Sequence, residues 1–142
     1  MTQDLEHIHH NGRLLAIIIG AGFRHDGIQF FTPNEFSQQL AYMNRPAGYV
    51  IPPHVHNPVR REVTHTLEVL FVRRGRVQVD LYGDGREFVG QRILEAGDVI
   101  LLVSGGHGFT MLEPTEMIEV KQGPYAGDKD KTPFDAPAQE GD

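Results

Sequence analysis

Two histidines set two residues apart are the sharpest chemical feature of the chain. They lie in the run GYVIPPHVHNPVRREVTHTLEVLFVRRG, residues 48–75. On an extended backbone, residues i and i+2 share a face with Cα atoms about 6.6 Å apart, so His54 and His56 can point the same way. Two imidazoles at that separation can lean onto one ion at roughly 2.0–2.1 Å. Pro52 and Pro53 stiffen the approach and lower the entropy lost in holding both rings. Glu68 opens the run EVLFV, where its parity sets it on the face of Leu70 and Val72. A carboxylate there is costly unless something positive pairs with it, and a metal held by the two histidines would be such a partner. The plainer alternatives are a surface-loop histidine pair, and an edge-strand Glu68 paired with Arg73 or Arg76.

Composition narrows the chemistry further. The 142 residues favour one domain with a core that needs no staple. Cysteine and tryptophan are absent, which excludes disulfide scaffolds, thiolate metal clusters and cysteine nucleophiles. The two serines, Ser37 and Ser104, sit in no nucleophile elbow. Eight histidines remain, so imidazole, carboxylate or a metal held by both carries whatever chemistry occurs. A formal charge of −6 makes a poor general nucleic-acid binder. The longest apolar run, residues 14–23, is about half of a membrane-spanning helix. Asp4 and Glu6 do not suit the basic start of a signal peptide, so the expected setting is cytoplasmic, with no membrane partner.

The elements that must position these residues are strands. Short runs rich in Val, Ile, Leu, Phe and Tyr, cut by Gly, Pro and Asp every eight to twelve residues, predict an all-β sandwich or barrel. The expected strands are 13–19, 28–31, 39–44, 49–51, 64–73, 76–82, 87–94, 99–103, 108–112 and 115–121. Gly83-Asp84-Gly85 and Arg74-Gly75 are expected to close hairpins, the first through an Asp-Gly primed turn. Residues 34–39 are expected to form one helical turn behind Thr32-Pro33. The organisation expected is a polar segment at 1–12, a β domain at 13–122, and a Pro/Gly-rich strap or tail at 123–142.

The first run resembles the cupin family, small single-domain β-barrels of jelly-roll type. Gly48, His54, His56, Glu68 and Gly75 match its first motif, G-x5-H-x-H followed by E-x6-G, although eleven residues, 57–67, separate His56 from Glu68. The second motif is matched by Gly97, Gly105 and His107, with Val103 in place of its proline. The resemblance implies a jelly-roll barrel holding one metal through His54, His56, Glu68 and His107. Nitrogen and oxygen donors of this kind suit Fe, Mn, Ni, Zn or Cu without ranking them. The plainer reading of His107 is a residue of a tight glycine turn. His65 is the rival ligand, although its spacing from Glu68 sets the two on opposite faces of one strand. His7, His9, His10 and His25 have no carboxylate at useful spacing. Phe109 and Met111 share parity with His107, as pocket or core residues, and Arg60 and Arg61 are an anion clamp or a solvated loop.

For function, the resemblance implies a metal-dependent enzyme, an isomerase or oxygenase acting on a small sugar-like or carboxylate substrate, with Glu119 or Lys121 as acid–base candidates. The runs GGHGF and EVKQGPY are similar to those of small cupins linked to surface-sugar biosynthesis. The alternative is a non-catalytic module that binds a small ligand. Homodimers are frequent among such barrels, and residues 14–19 are the expected dimer edge.

Overall fold

The computed structural model describes residues 4–137, which are all-β apart from one 3₁₀ turn at Gly127–Lys129. The strands are β1 (Leu5–His10), β2 (Arg13–Ile19), β3 (Gly27–Phe30), β4 (Ala41–Asn44), β5 (Glu68–Arg74), β6 (Arg76–Tyr82), β7 (Phe88–Glu95), β8 (Val99–Leu102), β9 (Gly106–Met111) and β10 (Glu116–Lys121). They fall into two compact units. One runs to Phe23 and resumes at Thr66; the other is Arg24–His65.

The larger unit holds two antiparallel sheets. One has the order β1-β2-β8-β5-β10, the other β7-β6-β9, and they do not close into a barrel. Alternation explains why they pack. Ile8, Ala16, Ile18, Leu70, Val72, Ile100 and Leu102 from the first sheet meet Val77, Val79, Leu81 and Leu94 from the second in one core. Each strand turns every second side chain inward, and burying these branched side chains, at about 1.5–3 kcal/mol each, is the main force holding the sheets together.

Turns fix the register. Gly75 (φ +94°) joins β5 to β6, as the Arg74-Gly75 signal predicts. The β6–β7 hairpin differs from expectation. Gly83 N–H donates to the Glu87 carbonyl and Arg86 N–H to that of Gly83, both at 2.9 Å, and Arg86 (φ +69°) takes the left-handed position. The reversal is therefore a four-residue turn, and neither Gly83 nor Gly85 has a positive φ.

Asp98 organises the turn before β8. Its carboxylate, 7% exposed, accepts Ala21 N–H on one oxygen and Glu95 N–H on the other, each at 2.8 Å. This ties the chain after β2 to the end of β7.

Three expectations are corrected here. Residues 5–10 of the segment read as polar form a strand, because Glu6 and Ile8 turn inward while His7 and His9 stay outside. Residues 14–19 cannot be a dimer edge, since β2 lies between β1 and β8; the outer strands are β1, which carries a bulge at Ile8/His9, and β10. Residues 49–51 and 64–67 are not strand: Pro52 and Pro53 offer no N–H to a ladder, and β5 begins at Glu68.

In the smaller unit β3 and β4 form a hairpin, with Ile28 opposite Met43 and Phe30 opposite Ala41. The helical turn expected at 34–39 is a single reversal, Phe36 N–H to the Pro33 carbonyl at 3.1 Å. Gln39 stops it from propagating, because its side-chain amide donates to the carbonyls of Pro33 (2.9 Å) and Phe36 (3.0 Å) while the Thr32 hydroxyl donates to its oxygen at 2.6 Å.

Among the described residues no helix is long and apolar enough to cross a membrane.

Candidate functional site

Strand parity places two of the four motif residues together. Glu68 pairs in register with Leu102 on one side and Lys121 on the other, and shares its face with the core residues Leu70 and Val72. Its carboxylate therefore points between the sheets, as its position in EVLFV predicts. His107 pairs with Leu81, also a core residue, so its ring faces inward from the opposite sheet. The two meet at one end of the sandwich, with His107 Nε2 3.5 Å from Glu68 Oε2 and side-chain exposures of 31% and 16%. Phe109, two residues along the same face, holds its ring centroid 5.6 Å from that of His107.

Register also brings Glu119 and Lys121 to this face, since they oppose Leu70 and Glu68. The hydrogen bond from His107 holds the Glu68 carboxyl down to about 2; burial opposes this, while Glu119, Lys121 and the His107 charge reinforce it. Glu119 moves the other way. Its hydrogen bond to Glu68 raises it, burial and the Glu68 charge add to the rise, and Lys121 and Lys131 oppose it. Two carboxyls that share a hydrogen bond cannot both ionise freely, so the Glu68 carboxyl is pushed down and that of Glu119 up. Lys121 Nζ lies 3.8 Å from Glu119 Oε1. Glu68, His107, Glu119 and Lys121 thus lie toward one end of the inward-facing surface.

The other two motif residues belong to the Arg24–His65 unit, in an exposed stretch without regular structure. His54 and His56 approach with ring centroids 5.3 Å apart, edge to face. His54 Nδ1 lies 2.9 Å from the Pro52 carbonyl, which can only accept, so this nitrogen carries the hydrogen and Nε2 is turned away from that contact. Metal-ligating histidines are oriented in this way. Carboxylate oxygen and imidazole nitrogen are donors of the kind that suit a divalent ion. Among the described residues, no group of three or more His, Asp or Glu side chains is gathered to hold one.

The remaining candidates separate cleanly. His65 is exposed, with Nδ1 3.0 Å from the Thr64 hydroxyl, and precedes β5. Arg60 and Arg61 are exposed, and Arg61 donates to the Val59 carbonyl. His10 does have a carboxylate partner, contrary to expectation: Nε2 lies 2.9 Å from Glu87 Oε1, because β1 and the β6–β7 turn meet across 77 positions. Reasoning from local spacing could not find that pair. It also missed Glu6, whose carboxylate accepts a two-pronged bond from Arg92 at 2.9 and 2.6 Å.

Comparison of the chain with family models, with curated proteins and with solved structures gives no match.

Proposed function

We propose that this protein is a metal-binding double-sheet domain of jelly-roll, cupin-like architecture. In this reading it binds one divalent transition metal ion through His54, His56, Glu68 and His107. The observation that carries it is the Glu68–His107 pair: an inward carboxylate held ionised among apolar side chains, 3.5 Å from an imidazole on the opposing sheet. The packing of two antiparallel sheets over one core supports the architecture. A bound ion of this kind acts as a Lewis acid toward an oxygen-rich ligand. The activity proposed is that of an enzyme on a small sugar-like or carboxylate substrate. Glu119, whose carboxyl is raised by its hydrogen bond to Glu68, and Lys121, 3.8 Å from it, are the acid–base candidates in this reading.

We also propose a homodimer, formed along β10. Phe71, Ile118 and Val120 are 40%, 46% and 55% exposed on the outward face of β5 and the outer strand β10. A second copy is the occupant that covers such a stripe by symmetry.

Elemental analysis of protein purified without chelator tests the metal reading. About one equivalent of a transition metal is expected, lost in a His54→Ala/His56→Ala variant and in Glu68→Gln. A metal-free wild type, or equal content in all three proteins, overturns it.

A further inference from the structure

We propose that residues 123–137 form a detachable strap that closes the end of the sandwich where Glu68 meets His107. The inference rests on the reading of that pair as the functional site, and concerns its access.

The strap leaves β10 at Lys121 and is fastened near both members of the pair. At the Glu68 end, the Gln122 side chain accepts the N–H of Leu67, and the Asp130 carboxylate accepts the Thr66 hydroxyl. These anchors lie one and two residues from Glu68. At the His107 end, Phe134 packs edge-on against Tyr82, ring centroids 5.2 Å apart, under the Arg86 guanidinium at 5.3 Å. Its ring also fills the space over Gly106, where an added Cβ would lie 2.9 Å from Phe134 Cζ. Gly106 is the residue before His107. By parity Tyr82 and Gly106 face away from the core, so Phe134 lies on the outer face of the second sheet; between Asp130 and Phe134 the segment therefore crosses from the margin of one sheet to that of the other, over the end where the pair sits. Along the way Lys131 comes near enough to Glu119 for its charge to favour the ionised carboxyl.

What makes this segment a strap is how it is held. No strand of either sheet extends beyond Lys121, and the backbone bonds found within the segment are local ones, Lys129 N–H to Ala126 and Asp130 N–H to Gly127. Among the described residues, the side chains of Asp130 and Phe134 fasten it to the sheets, with Gln122 holding the Leu67 N–H at its root. Few side-chain anchors and no ladder are the properties of a segment that opens well below the free energy of global unfolding. The edge-to-face and cation–π contacts of Phe134 are the anchor farthest from β10.

The test uses the full chain dialysed against EDTA, so that it does not depend on whether a metal is bound. Carbethoxylation of His107 by diethyl pyrocarbonate is followed by peptide mass spectrometry, with exposed His9 as internal reference. Amide exchange of Leu67, Lys129 and Asp130 is followed in parallel. In Phe134→Ala, His107 is expected to react about tenfold faster than in the wild type, equivalent to about 1.4 kcal/mol of lost closure. The Leu67 and Asp130 amides, at the far anchor, are expected to exchange faster by a similar factor. No change in His107 reactivity overturns the proposal. So does a change at His107 without one at Leu67 and Asp130, since the ring would then only shield its neighbour. If Phe134→Ala also exposes core amides of β2 and β8, Thr66→Val loosens the opposite anchor instead. His107 must then react faster with the core intact, and an unchanged rate again overturns the strap.

Discussion

Replacing Asp98 by alanine removes one carboxylate that holds two backbone N–H groups from different parts of the larger unit. Ala21 N–H and Glu95 N–H each donate to it at 2.8 Å, and the side chain is 7% exposed. A hydrogen bond to a charged group contributes about 1.5–3 kcal/mol, and its loss leaves the buried donor without a partner. Losing both at once gives about 3–5 kcal/mol once partial rescue by water is allowed for. For a chain of this length that lowers the melting temperature by roughly 10–20 °C. Asp98→Asn keeps one acceptor and turns an amide N–H toward the second donor, so about half the loss is expected. With no tryptophan to report on unfolding, far-ultraviolet circular dichroism with heat and urea is the assay. Amide exchange at Ala21 and Glu95 localises the effect. A drop below about 3 °C, or equal drops for the two variants, would refute the bridging role.

Other expectations follow from the same physics. The Glu6 carboxyl lies below its usual range because of the hydrogen bonds from Arg92. A folded pKa below the unfolded one means the pair stabilises fully above the unfolded carboxyl range and loses that effect as pH falls through the folded value. Glu6→Gln should therefore cost of order 1 kcal/mol at pH 7 and almost nothing at the acid end, read by urea unfolding; a pH-independent cost would contradict it. Gly12 and Gly105 both have positive φ, +76° and +72°, but an added Cβ meets nothing within 4 Å at Gly12 and lies 2.2 Å from the Tyr82 carbonyl at Gly105. Gly12→Ala should cost about 1 kcal/mol and Gly105→Ala at least about 2 kcal/mol more, a gap whose absence in thermal melts would count against the packing described. If the proposed dimer forms along β10, the wild type should sediment as a dimer and Val120→Lys as a folded monomer; equal sedimentation coefficients would remove β10 as the interface.

The strand pattern was legible wherever burial demands apolar side chains, as alternation in β6 and as a continuous apolar run in β2. β2 and β6 have the predicted bounds, and Glu68 turns inward as its parity requires. β1 escaped notice because an outer strand needs few apolar residues; Ile8 is its sole fully buried side chain. Contacts distant in sequence were beyond reach for a different reason. Nothing local marks Phe134 as a partner of Tyr82, or Glu87 as a partner of His10, until the sheets have brought them together. Glu119 and Lys121 could be named as candidates, but only their register against β5 shows that both share Glu68's face.

The bulge in β1 bears on what happens when copies accumulate. Both outer strands are irregular, β1 at Ile8/His9 and β10 at Glu116/Met117, but β1 turns His7 and His9 outward, a poor template for further pairing, whereas β10 turns Ile118 and Val120 outward. Two copies joined at β10 would leave a β1 strand at both free margins. Growth would then stop after one addition, so the asymmetry between the two margins separates a finite assembly from a fibril.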